Sequence, residues 1–207
     1  MPRLRQVPRD EVDAPIVRLM YDHLFGERDP VADPGTADGS RGDWWTVFAL
    51  VPDVLEHAVQ GFALYQSPRR VLDPRLRELA QTRVGWAVGS SFVYSQHAKA
   101  LSALGVSDEV VGAVPAWPAS EVFDETDRLV LGFADCLVFD RGRVPDALFD
   151  RLRDRLGDEA LLELTYVAGM YLQHAVMSRA LRTEDDDRPD PVTGGPGRPS
   201  RPPGMGG

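Results

Sequence analysis

Residues 73–105 constrain the fold more than any other stretch. Asp73 and Pro74 open an apolar-periodic run, Gly89 stops it, Ser90 or Ser91 opens the next, and Gly105 closes that one. An Asp or Ser side chain accepts hydrogen bonds from the free N–H groups of a first turn, proline is pre-set for the first helical position, and glycine takes the conformation that ends a helix. Two helices joined at Gly89-Ser90 lie as antiparallel neighbours. Whatever else the chain does, it folds around this hairpin.

The same punctuation recurs along the sequence. In "DAPIVRLMYDHLFG", Ile16, Leu19, Met20, His23 and Leu24 are spaced by threes and fours, and Gly26 closes the run. Residues 27–43 are rich in Pro, Gly and Asp without periodicity and read as a loop. "DWWTVFALV" is a short apolar segment suited to an interface, and Pro52 then opens a helix to about Gln66. Ser107 caps a short helix that Pro115 ends. "DETDRLVLGFADCLVFD" and "PDALFDRLRDRLG" each begin acidic and carry an apolar stripe. Asp158 opens the longest helix, apolar on most faces and therefore buried or at a subunit interface. No stretch alternates with period two, so the fold class is all-α. The last 20 residues hold 12 Pro or Gly, which cannot bury enough apolar surface to order. The expected organisation is one helical domain, residues 1–182, and a disordered tail, residues 183–207.

Charge and cysteine content exclude several classes. The net charge of −9, with arginines scattered among carboxylates, gives no cationic surface for nucleic acid or an anionic membrane. No run of about 18 apolar residues is present to span a bilayer, and "MPRLRQVPRDEVDAP" has no apolar signal core. One cysteine, Cys136, excludes an internal disulfide and a Cys-pair metal or redox site. A cytoplasmic location is the expectation. No phosphate loop, HExxH metal pattern or Gly-x-Ser-x-Gly elbow occurs, so no metal site and no cofactor are expected.

The chemistry concentrates on the hairpin. Ser90, Val93 and His97 form one stripe of the second helix, while Glu78, Gln81, Thr82 and Gly85 share a face of the first. Glu78 and His97 can meet across the hairpin, where a carboxylate orients an imidazole that can hold and deliver a proton. On composition alone a lone histidine on an apolar stripe is more often a hydrogen-bonded core residue, and a lone glutamate more often a surface one. Ser90 and His97 lie about 10 Å apart along one helix, too far for a serine–histidine nucleophile. Tyr94 and Trp86 read as packing aromatics beside the stripe. His174, in "YLQHAVM", is as ambiguous as His97. Arg83 on an apolar stripe reads either as a substrate-carboxylate anchor or as half of a buried ion pair. Cys136 reads as a small buried hydrophobe.

The segment "LDPRLRELAQTRVGWAVGSSFVYSQHAKALSALGVSDEVVGAV" resembles the core hairpin of the carboxymuconolactone decarboxylase family, whose superfamily also holds the alkylhydroperoxidase D type peroxidases. "VPDVLEHAVQGFALY", "DETDRLVLGFADCLV" and "VPDALFDRLRDRLGDEALLELTYVAGMYL" are similar to flanking helices of its longer members, so the resemblance spans roughly residues 10–182. It implies an alkylhydroperoxidase D-like helical bundle and assembly into dimers, trimers or hexamers. In the peroxidase branch a Glu on the first helix precedes Cys-x-x-Cys-x-x-x-His on the second. Glu78 and His97 match the Glu and the His, but the cysteine positions fall on Ser90 and Val93, which form neither thiolate nor disulfide. The resemblance therefore implies a cofactor-free lyase or isomerase, decarboxylase-like, acting on a small cyclic or unsaturated carboxylic acid or lactone. His97, Glu78 and Tyr94 would be catalytic, with Ser90, Trp86, Arg83 and His174 at the substrate. The alternatives are a catalytically silent binding or scaffold member, or a residual thiol-dependent antioxidant working through Cys136.

Overall fold

A computed structural model describes residues 1–37 and 39–183. The tail expected from residue 183 onward lies, from residue 184, outside the described residues. Eight α-helices occur among the described residues: α1 (Pro15–Phe25), α2 (Asp43–Phe48), α3 (Pro52–Ala63), α4 (Pro74–Val88), α5 (Ser91–Ala103), α6 (Asp108–Ala113), α7 (Glu125–Val138) and α8 (Asp146–Leu181). Short 3-10 turns fill Arg9–Glu11, Leu64–Gln66 and Val114–Ala119. No strand is present among the described residues, and the protein is all-α.

The caps act where the sequence puts them. Asp73 accepts from the N–H groups of Arg75 and Leu76, Ser90 from Val93, Ser107 from Val110, and Asp124 from Asp127. Gly26 ends α1 and Gly89 ends α4. α8 is interrupted at Gly157, whose φ of 79° and ψ of 166° no helix accommodates, so Asp158 starts a new run as expected. Pro115 stands just past the end of α6 at Ala113, as expected. It sits inside a 3-10 turn that continues from α6, because proline's fixed φ suits a tight first turn as well as a stop.

The described residues divide into two compact units, 1–69 with 177–183, and 70–176. In the first, Val7, Val17, Tyr21, Phe25, Trp44, Val47, Phe48 and Leu55 form the core. Trp44 stacks on Phe48 with ring centroids 3.9 Å apart, and the Tyr21 hydroxyl donates to the Val7 carbonyl. The "DWWTVF" segment is thus helix α2 and mostly core, not interface surface.

The second unit is built around α4, which is buried on nearly every face from Leu76 to Gly85. α4 packs against α5 and α7. Gly85 lies so close to α5 that a Cβ there would fall 2.5 Å from the Tyr94 nitrogen, so only glycine permits this approach. With Leu79 packed against Ala98 and Leu101, the contacts run backward along α5, as an antiparallel hairpin requires. α7 runs the other way. Arg75 pairs with Asp127 and Arg83 with Asp135, both 52 residues apart, two rungs of a parallel ladder. Val84, Ala134 and Ala168 bring α4, α7 and α8 into one cluster.

Candidate active site

The side chains opposite one another on the hairpin are hydrogen-bonded. His97 Nδ1 lies 2.6 Å from Glu78 Oε2, and both residues are 6% exposed. The second carboxylate oxygen, Oε1, accepts from Arg77 Nε at 2.9 Å. Burial opposes ionisation of Glu78, but the His97 hydrogen bond and charge and then Arg77 outweigh it, holding the carboxyl below its ordinary range. An ionised Glu78 accepts only, so Nδ1 carries the shared proton. His97 Nε2 is buried without a hydrogen-bond partner among the described residues.

α8 closes the other side. The Tyr171 ring stands perpendicular to the His97 ring with centroids 4.1 Å apart, and His174 lies 5.8 Å beyond Tyr171. Burial pushes the His174 imidazole down to about 4, so it is neutral at physiological pH.

Tyr94 is fully buried, its ring edge-on to half-buried Trp86 at 5.6 Å, one turn from the pair. Ser90 Oγ is engaged as the cap of α5, accepting from the Val93 N–H. Arg83 is not brought to Glu78 and His97. Its Nε and Nη2 bind both oxygens of Asp135, and Nη1 donates to the Val114 and Pro115 carbonyls. Trp117 Nε1 donates to the same Asp135 carboxylate. Arg83 is therefore half of a buried ion pair, its fork filled by protein rather than by a substrate carboxylate. Cys136 is buried, and burial with the flanking Asp140 and Asp135 pushes its thiol up, away from a reactive thiolate. No group of three or more His, Cys, Asp or Glu among the described residues could hold a metal ion.

Two contributors escaped the sequence reading. Tyr171 is 74 positions from His97 and looks like one more apolar-stripe aromatic, and Arg77 falls outside the α4 face that carries Glu78, Gln81, Thr82 and Gly85. The one signal for Arg77 was its adjacency to Glu78.

Residues 52–135 match the model of the carboxymuconolactone decarboxylase family. That segment, 84 of the chain's 207 residues, is similar to this family. The match contains Glu78, Ser90, Val93 and His97, and ends before Tyr171 and His174. A sequence relative, the uncharacterized protein YnjA of Escherichia coli K12, is 29% identical over 128 residues, covering 61% of this chain and 68% of its own. The debrominase Bmp8, solved as a point variant in complex with 2,3,4-tribromopyrrole, superposes with a TM-score of 0.66 at 16% identity, covering 88% of this chain and 92% of its own. ATU0492 of Agrobacterium tumefaciens, for which an AhpD antioxidant role has been suggested, gives a TM-score of 0.58 at 22% identity, covering 65% of this chain and 92% of its own. These structural likenesses establish an AhpD-like fold for this chain. They leave the reaction to the residues of the site.

Proposed function

We propose that the chain is a cofactor-independent lyase or isomerase that moves a proton on a small cyclic or unsaturated carboxylic acid or lactone. The observation that carries this reading is the buried hydrogen bond of 2.6 Å between Glu78 and His97. An imidazole fixed at Nδ1 by a carboxylate directs its basic lone pair, or its acidic proton, through Nε2. Decarboxylation leaves an electron pair on carbon that a proton must quench, and isomerisation removes a proton from one carbon and returns it to another. His97 serves either step, and Glu78 orients the ring and stabilises the imidazolium form. Tyr94 and Trp86 shape the wall beside α5, while Tyr171 and neutral His174 supply the facing side on α8. Ser90 belongs to the site through the helix it caps. The Bmp8 ligand is a small unsaturated ring, the size class proposed here.

Assembly into a homo-oligomer and a cytoplasmic location complete the proposal. Leu162, Tyr166 and Val176 are 70%, 53% and 51% exposed on one side of α8, a surface suited to a second copy. No described helix is long and apolar enough to cross a membrane. One observation favours a rival reading: Nε2 is itself buried, as it would be in a silent binding member that kept the pair as structure.

Solvent exchange separates the two. A panel of small unsaturated acids and lactones is incubated with the protein in deuterium oxide and followed by proton NMR and carbon dioxide release. Deuterium uptake or decarboxylation that falls roughly 100- to 10,000-fold in a folded His97→Asn variant supports proton transfer. Turnover of a panel member at an unchanged rate in that variant removes His97 from the mechanism. Inertness across the panel favours the silent reading.

A further inference from the structure

Glu78 is held at both oxygens. Oε2 meets His97 Nδ1 at 2.6 Å and Oε1 meets Arg77 Nε at 2.9 Å, so cation, carboxylate and imidazole form one hydrogen-bonded line across the hairpin. We propose that Arg77 is a positioning residue for the proton-transfer pair: it fixes the Glu78 carboxylate by the oxygen His97 does not use and biases the pair toward the neutral imidazole. The catalytic half of this inference rests on the function proposed above. The electrostatic half does not.

The local geometry is unusual for neighbours in a helix. Side chains at i and i+1 leave the axis about 100° apart and do not ordinarily meet. An arginine at the edge of a buried helix ordinarily extends its guanidinium into water. Arg77 instead folds back, its side chain 19% exposed, to reach a carboxylate that is 8% exposed. Salt-bridge chemistry alone would not need this, because the His97 bond already satisfies one oxygen of Glu78. What Arg77 adds is a permanent positive charge and a second anchor that stops the carboxylate rotating about its terminal bond.

The charge count gives the direction. With Arg77 present, the cluster is neutral when the imidazole is neutral and carries +1 when it is protonated. Without Arg77 these become −1 and zero. Net charge is costly where solvent is excluded, so Arg77 moves the balance away from imidazolium. Guanidinium does not titrate in the physiological range, so this bias holds at every working pH. A carboxylate already drawn toward a cation is also a weaker base toward Nδ1.

The other groups packed around the pair do not supply that charge. From α8, Tyr171 presents a neutral ring and His174 is neutral at physiological pH because burial disfavours its cation. From α7, Asp127 and Asp135 are paired with Arg75 and Arg83. Lys99, on α5 itself, is two positions beyond His97 and lies off the stripe that faces Glu78. Arg77 is the cation in direct contact with the carboxylate.

The experiment follows the His97 ring by NMR in the full chain carrying isotope-labelled histidine, substrate-free, with its resonance assigned through His97→Asn. Variants are Arg77→Met, Arg77→Lys and Glu78→Gln, with circular dichroism and melting recorded for each. In Arg77→Met the His97 titration is expected to move to higher pH, and in Arg77→Lys, which keeps the charge, to stay close to the parent. In a Glu78→Gln background the effect of Arg77→Met is expected to shrink to less than about half, since the coupling runs through the carboxylate. On a substrate identified by the exchange screen, Arg77→Met is expected to lower kcat about tenfold at neutral pH and leave KM within about twofold. Its pH–activity profile should move the same way as the titration. If Arg77→Met does not fold, Arg77→Gln, which can donate to Oε1 without charge, takes its place with the same expected direction. An unchanged or downward titration in the neutral variant overturns the proposal, as does a shift of equal size when Gln occupies position 78. A titration that moves upward while no substrate is turned over would retire the catalytic reading and leave the electrostatic coupling standing.

Discussion

Asp135→Ala tests whether Arg83 is structural or a substrate anchor. The substitution removes both oxygens that hold Arg83 Nε and Nη2, at 2.6 Å and 3.0 Å, and the acceptor of Trp117 Nε1. What remains to the guanidinium is the Val114 and Pro115 carbonyls on Nη1. The Arg83 side chain is 8% exposed, so its charge is left almost dry, whereas Asp135 is 22% exposed and loses some interaction with water on deletion. Breaking a buried pair from one side costs about 3–5 kcal/mol, and the partial exposure of Asp135 lowers that to about 2–4 kcal/mol. For a chain of this length each kcal/mol is worth about 2–4 °C, so the melting temperature should fall by about 5–15 °C.

The assay is thermal and urea unfolding by far-UV circular dichroism, with the double variant Arg83→Met/Asp135→Leu alongside. Removing both charges leaves no unpaired ion, so the double variant should recover at least half of the loss. An Asp135→Ala protein melting within about 1 °C of the parent would refute the assignment. So would a double variant less stable than the single one. A drop in substrate affinity in Arg83→Lys, with stability unchanged, would return Arg83 to the substrate.

Three further outcomes are expected. His174 has its folded-state value lowered from 6.5 to about 4, so the unfolded chain binds the extra proton first. Its contribution to stability is therefore complete above about pH 6.5 and is lost progressively toward pH 4, and a His174→Phe variant should show a flatter stability profile in that window by urea titration. Light scattering at micromolar concentration should report an oligomer, and Leu162→Glu/Tyr166→Glu should shift it toward the 22.8 kDa monomer, whereas a parent already monomeric removes the α8 surface from consideration. Cys136, buried and with its thiol pushed up, should react with iodoacetamide at neutral pH at least about tenfold more slowly than free cysteine. Dithiol-dependent turnover of an alkyl hydroperoxide that Cys136→Ser abolishes would show that this sulfur does redox work after all.

Helix ends were legible because capping is local. Asp73, Ser90, Ser107 and Asp124 each satisfy N–H groups two or three residues away, and Gly89 adopts its positive φ whatever lies around it. The Glu78–His97 encounter was legible for the same reason, since the two-residue reversal at Gly89-Ser90 fixes which turns face each other. What escaped depends on distant partners. α2 is only six residues long, and its helix is fixed by packing, with Trp44 stacked on Phe48 and both in the core of the first unit. The burial of Glu78 could not be read from α4, whose residues are buried on nearly all sides and so leave no polar face to mark the outside. Arg83 with Asp135 had one available signal, a carboxylate set inside the apolar run "LGFADCLVF" at the same 52-residue offset that relates Arg75 to Asp127.

That ladder also says why the Glu78 position is the one to test. Three arginines of α4 each meet a buried or half-buried carboxylate, Arg75 with Asp127, Arg77 with Glu78, and Arg83 with Asp135. In the first and third, a planar fork meets both oxygens of one carboxylate, an arrangement that is electrically closed and has no proton to give near neutral pH. In the second, the arginine takes one oxygen and a histidine takes the other. Stability alone would be served as well by a third bidentate arginine, and imidazole is the side chain that gains or loses a proton near neutrality. The site therefore differs from its two neighbours on the same helix in the one property that acid–base chemistry needs.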